Sequence, residues 1–152
     1  MILRIYLDTC CYNRPYDNQN YKTIAVEAKA VKLIQSKIKN GDIELVSSYV
    51  LEYENENNPF LMKRLYIENF IEDYSSIYVS ESKEKEIKTI AKGIIDTGVK
   101  KHDAYHIACA LIAECDYFLT TDKRVLKYKN DRLLLLNPME FVESYGGKNN
   151  DH

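Results

Sequence analysis

The sequence predicts a single-domain α/β fold with a central parallel β-sheet flanked by helices. Three observations lead there. Short apolar segments alternate with longer segments of helical period, the order in which parallel strands are fed through helical crossovers. The segments at residues 2–7 and 133–136 are near-continuous apolar runs rather than strict alternations, as expected of strands covered on both faces. Residues 104–114 carry almost no polar side chain, and a helix apolar around most of its girth is a buried helix.

In order, residues 2–7 form the first strand from branched and aromatic residues, closed by Asp8 and Thr9. Residues 13–20 are rich in turn formers and read as a polar loop. A helix over residues 23–39 has an apolar stripe of Ile24, Ala28, Val31, Ile34 and Ile38, and Gly41 supplies its stop. Residues 43–46 form a second strand, after which Ser47 and Ser48 offer a cap to a helix starting near Tyr49 and ending at Asn57-Asn58-Pro59. A helix over residues 60–74 and a very short strand at 77–79 follow. Ser80 or Ser82 then caps a charged helix reaching Asp96, with Ile87, Ile90, Ala91, Ile94 and Ile95 inward and Gly98 beyond it. After the apolar helix come a strand at 117–121, a short helix at Val125-Leu126, a strand at 132–136 and a small helix from Asn137-Pro138 to Val142.

A chain of 152 residues suits one domain, placed at residues 1–145, with residues 146–152 a polar, flexible tail. The net charge of −2 draws in neither nucleic acid nor anionic lipid globally, so any polyanion must be held by a local basic rim or a metal. No stretch approaches the roughly 20 apolar residues of a membrane span, and the N-terminal apolar run stops at Asp8, too short for a signal segment. No membrane partner is expected, and the location expected is cytoplasmic. Cys10, Cys11, Cys109 and Cys115 lack zinc-finger spacing and read as reduced, buried thiols. The 13 tyrosines could stack on bases, but a Lys-, Asn- and Ile-rich composition accounts for them as well.

The chemistry lies in acids. In open parallel sheets, sites form where strand carboxyl ends meet helix starts. Asp8 and Asp122 each end a predicted strand, and Asp103 opens the apolar helix. Glu52 or Glu54 stands in the first turns of the helix after the second strand; two apart, about 200° around the axis, they cannot face one site together. Clustered carboxylates raise one another's proton affinity unless a cation neutralises them. Mg²⁺ or Mn²⁺ prefers such hard oxygen donors, activates water and stabilises charge on a phosphoryl oxygen. Phosphodiester hydrolysis suits that set best. Singly, each acid also serves as a cap or turn residue, and Asp116, at the opposite strand end, reads as structural. His102 and His106 flank Asp103 without the acidic motif of a zinc-protease helix. Thr9 and Thr121 are placed to orient a carboxylate. Arg14, Lys100, Lys101, Lys123 and Arg124 neighbour the acids and could hold phosphates, with a solvated surface the plainer alternative.

Leu7-Asp8-Thr9, the helix Asp103-Ala104-Tyr105-His106-Ile107-Ala108-Cys109-Ala110 and the strand end Leu119-Thr120-Thr121-Asp122 together resemble the PIN-domain family, metal-dependent ribonucleases that include VapC-type toxins of toxin–antitoxin pairs. The resemblance runs in order and spacing from residue 2 to about residue 142. It implies a PIN-like fold with a twisted parallel sheet, and Mg²⁺ or Mn²⁺ held by Asp8, Asp103 and Asp122. The fourth acid is placed on Glu54, with Glu52 as the competing register. The substrate implied is RNA, with Arg14, Lys101, Lys123 and Arg124 as its contacts; the partners implied are a cognate antitoxin and a second copy in a homodimer. Cys10 departs from the family pattern, where Asn often follows Asp-Thr. The main rival is a non-catalytic PIN-like module that binds RNA or protein. A haloacid-dehalogenase-like phosphatase would need an Asp-x-Asp-x-Thr signature that is absent around Asp8.

Overall fold

In the computed structural model, residues 2–150 are described, with side chains as far as residue 145. Five parallel strands form one sheet: β1 (Leu3–Leu7), β2 (Ile43–Ser48), β3 (Ser75–Val79), β4 (Tyr117–Leu119) and β5 (Leu134–Leu136). Their spatial order is β3-β2-β1-β4-β5. Leu3 pairs with Ile43 and Ile5 with both Leu45 and Tyr117, so β1 is the central strand. Seven helices flank the sheet: α1 (Thr9–Asn13), α2 (Lys22–Lys39), α3 (Tyr49–Glu56), α4 (Leu61–Tyr74), α5 (Glu84–Ile95), α6 (Lys101–Ile112) and α7 (Pro138–Asn150). This is the all-parallel α/β architecture expected from the sequence. Ile5, Tyr6 and Leu7 of β1, Leu45 and Val46 of β2, Phe118 and Leu119 of β4, and Ala104, Ile107 and Ala108 of α6 are all fully buried.

Several boundaries differ from the expectation, each for a local reason. The first half of the loop expected at residues 13–20 is helical, as the end of α1 and a 3-10 turn, Arg14–Tyr16, while residues 17–20 are turn and bend as expected. Asp8 caps α1 through Thr9 N at 2.8 Å, and Pro15 pre-sets the 3-10 turn. α6 begins at Lys101 rather than Ala104. A 3-10 turn, Glu81–Lys83, precedes α5, and Ser80 and Ser82 bond each other at 2.6 Å instead of capping the helix. The final apolar run is not covered on both faces: Leu133 and Leu135 are buried but Leu134 is 51% exposed, because β5 is an edge strand. The terminal helix continues past Val142 to Asn150, and the flexible tail expected at residues 146–152 falls on side chains and terminal residues outside those described. Gly41 (φ 81°) and Gly98 (φ 108°) follow α2 and α5 in the left-handed region, as helix stops require.

Candidate active site

The chain leaves β1 to build β2 and β3 on one side, then returns to build β4 and β5 on the other. The order reverses between β1 and β4, and the crevice outside their carboxyl ends is the topological switch point. Asp8 follows β1, and Thr120-Thr121-Asp122 follow β4. Tyr6, near the end of β1, meets His106 in the second turn of α6, while Arg4, near its start, bonds the carbonyl of Ala113 beyond the helix at 2.7 Å. α6 therefore runs antiparallel to β1, with its N-terminal turn and Asp103 at the crevice.

Asp8 is buried, and three groups fix it. Its Oδ1 accepts from Thr9 N, its Oδ2 accepts from Thr120 Oγ1 at 2.8 Å, and the Cys10 thiol lies 3.7 Å from Oδ2. Thr120 Oγ1 also accepts from Asp122 N at 3.1 Å, so one buried hydroxyl ties the strand end carrying Asp122 to Asp8. Asp122 Oδ1 accepts from Arg124 N at 2.9 Å, a local turn contact. Asp103 is buried in the first turn of α6 but does not cap it; Lys100 holds the cap position. Its Oδ1 lies 3.3 Å from Nε2 of the largely exposed His102. Burial pushes the Asp103 carboxyl above the usual range; His102 opposes the shift, and the charges of Asp8 and Asp122 add to it. The three acids are thus within electrostatic reach of one another.

Glu54, not Glu52, turns toward this edge. Its Oε1 bonds His106 Nε2 at 2.6 Å and its Oε2 accepts from Thr9 Oγ1 at 2.5 Å. Glu52 instead accepts from Tyr78 OH at 3.0 Å on the outer side. His106 is fully buried, and its Nδ1 lies 2.6 Å from Tyr6 OH, which lies 2.7 Å from Ser48 Oγ. Ser48 Oγ also accepts from Leu51 N, capping α3. Burial alone would lower the His106 pKa; the Glu54 bond and the charges of Asp8, Glu54 and Asp103 outweigh it and raise the value. Burial raises Glu54, but the bond and charge of His106 and the bond from Thr9 together outweigh it, so Glu54 is held below the ordinary carboxylate value. The network runs from β2 through β1 and α6 to α3 and α1.

The basic candidates divide. Arg14 is consumed within the fold: it bonds Glu27 and Asp17, each at 2.9 Å, and Thr121 Oγ1 at 3.2 Å. It therefore braces the α1 segment. Lys101, Lys123 and Arg124 are exposed and make no ion pair among the described residues, and Lys101 lies over the Tyr105 ring at 5.8 Å. Asp116 exchanges bonds with the Arg4 backbone at the far edge, as a structural residue would. Thr9 does orient a carboxylate, that of Glu54, whereas Thr121 serves Arg14. Thr120 and Tyr6 were given no role from sequence, their only signal being that they are polar groups beside strand ends that the fold must bury; Cys10 was marked there only as a thiol and a departure from the family pattern.

Among the described residues, no three His, Cys, Asp or Glu side chains stand close enough to enclose a metal ion. Asp8, Asp103 and Asp122 offer hard oxygen donors at the same edge of the sheet, within electrostatic reach of one another. The fold and site define a parallel α/β protein with an acidic crevice at its switch point. No protein-family model matches the chain, and no curated protein matches it. Among the described residues, no helix is long and apolar enough to cross a membrane.

Proposed function

We propose that the protein is a metal-dependent endoribonuclease of PIN type, hydrolysing RNA phosphodiester bonds. One observation supports the reading: the charges of Asp8 and Asp122 both act on the Asp103 carboxyl, so acids from three distant segments lie within electrostatic reach of one another at the carboxyl ends of β1 and β4. The donor set fits Mg²⁺ or Mn²⁺. Magnesium keeps several waters and takes only one or two carboxylates, so a closed cage of protein ligands is not required. A bound divalent ion would activate water and stabilise charge on the phosphoryl oxygens. The chain's own residues do the rest. Asp103 and Asp8 would hold the ion, while Thr120 and Thr9 N fix the Asp8 carboxylate, and Glu54 is kept ionised and oriented by His106 and Thr9. Lys101, Lys123 and Arg124 hold backbone phosphates that the acids alone would repel.

A finer reading makes the protein a cytoplasmic toxin restrained by an antitoxin and acting as a homodimer. The exposure of Phe60 (65%), Leu61 (54%) and Met62 (58%) at the start of α4 supports a face covered by another protein. The second reading, a non-catalytic RNA-binding or protein-interaction module, draws on the lack of an enclosing ligand set among the described residues.

The deciding experiment incubates labelled RNA with the protein and Mg²⁺, Mn²⁺ or chelator, beside Asp103→Asn. Cleavage that needs the metal and is lost in the variant supports the nuclease; RNA binding indifferent to both supports the module. Growth arrest on expression, relieved by Asp8→Asn, supports the toxin role.

A further inference from the structure

Beside the crevice, between α3, β3 and the starts of α5 and α6, lies a cleft of about 700 Å³, within the size range of small-molecule sites. Its walls are aromatic and acidic at once. Tyr49, Tyr53, Tyr78 and Tyr105 line it, with Tyr53 (68%) and Tyr78 (48%) largely exposed. Glu52, Glu54, Glu56, Glu81 and Glu84 line it too, against Lys101 and His102 as its basic groups. Glu54 is engaged by His106 and Glu84 by Lys88, while Glu56 and Glu81 make no ion pair among the described residues. The negative field reaches the walls: burial, then the bond and charge of Glu52 and the charge of Glu81, push the Tyr78 hydroxyl up to about 12. Burial, followed by charges that include Glu84 and Glu81, does the same to Tyr49.

Tyrosine faces alone would suit nucleobases. Five carboxylates against one lysine refuse the phosphates that bring the bases in. Aromatic faces flanked by carboxylates are instead the chemistry of a cation site. We propose that this cleft binds an organic polycation of polyamine type, its ammonium groups on Glu56 and Glu81 and its methylene chain against the tyrosine rings. The cleft adjoins the three-aspartate edge and shares Glu54, Lys101 and His102 with its surroundings, but the proposal does not depend on the nuclease reading.

Calorimetric titration of the full chain with spermidine at low salt tests it. The expected result is saturable binding of one spermidine per chain. A Glu56→Gln/Glu81→Gln double variant weakens it at least about fivefold, roughly what one unit-charge contact in water carries. Tyr53→Leu weakens it as well, and Asp131→Asn, which removes a carboxylate outside the cleft, leaves it unchanged. These side chains are exposed, so the variants keep the fold, and thermal unfolding checks that. Non-saturating heats, equal weakening in the Asp131→Asn control, or a short oligoribonucleotide or a basic peptide taking the cleft in place of spermidine overturns the proposal.

Discussion

His106 is the residue on which the buried polar chemistry turns. Both its ring nitrogens are bonded, to Glu54 and to Tyr6, within the buried stretch of α6. The fold raises its pKa above the ordinary 6.5, so its stabilising contribution is full below that value and lost as the pH climbs through the folded value. Glu54 is held below its ordinary 4.5, so its contribution is full above that value and lost as the pH falls through the folded one. The pair supports the fold most between 4.5 and 6.5. Replacing His106 with Gln therefore lowers the melting temperature by the widest margin at about pH 5–6, and the gap narrows toward about pH 9; a gap independent of pH contradicts the ion pair. Tyr6→Phe strands His106 Nδ1 and costs about 1–3 kcal/mol in chemical denaturation, the price of an unpaired buried polar group. None of these couplings was legible beforehand. Tyr6 and His106 lie 100 positions apart, and Asp8 and Thr120 lie 112 apart, and single-chain patterning carries no signal over such separations. The acids themselves were legible, because each follows a strand or opens a helix, and those boundaries are local.

α2 and α5 were readable from their periodic apolar stripes and α6 from its near-absence of polar residues, because these signals are local. α1 was not. Its five residues have no period, and the helix exists because Asp8 caps it and Arg14 braces its end against Glu27. Helix ends make two further tests. Gly98 has φ 108°, and a Cβ there would meet nothing within 4 Å, so Gly98→Ala isolates the backbone cost of the left-handed region. It should lower stability by about 1 kcal/mol, measured by denaturant titration. Glu114, at φ 57° after α6, occupies the same region without being glycine. Glu114→Gly should raise stability by about 0.5–1 kcal/mol, since it removes Cβ strain at an exposed site. A loss there would mean that the Glu114 side chain contributes more than its backbone costs.

At the scale of the whole molecule, the crevice is a cost that the rest of the fold carries. Three carboxylates from residues 8, 103 and 122 come together only when β1, β4 and α6 are assembled, and Asp103 feels both of the others. Without a cation this repulsion opposes folding, so Asp103→Asn, nearly the same in shape, should melt no lower than the natural chain and should melt higher at neutral pH. A divalent ion inverts the comparison. It binds the native state alone, since the unfolded chain scatters the donors, and at a hundred times its dissociation constant it adds about 2.7 kcal/mol. For a chain of this length each kcal/mol moves the melting temperature by about 2–4 °C, so saturating Mn²⁺ should raise it by about 5–10 °C. Asp103→Asn should lose most of that rise, and chelator should return the natural chain to its starting value. Crossing melting curves, with the variant higher without Mn²⁺ and the natural chain higher with it, separate a metal-binding crevice from carboxylates that merely end strands. An equal Mn²⁺ response in both proteins would place the ion elsewhere and remove the basis for metal-dependent chemistry at this edge.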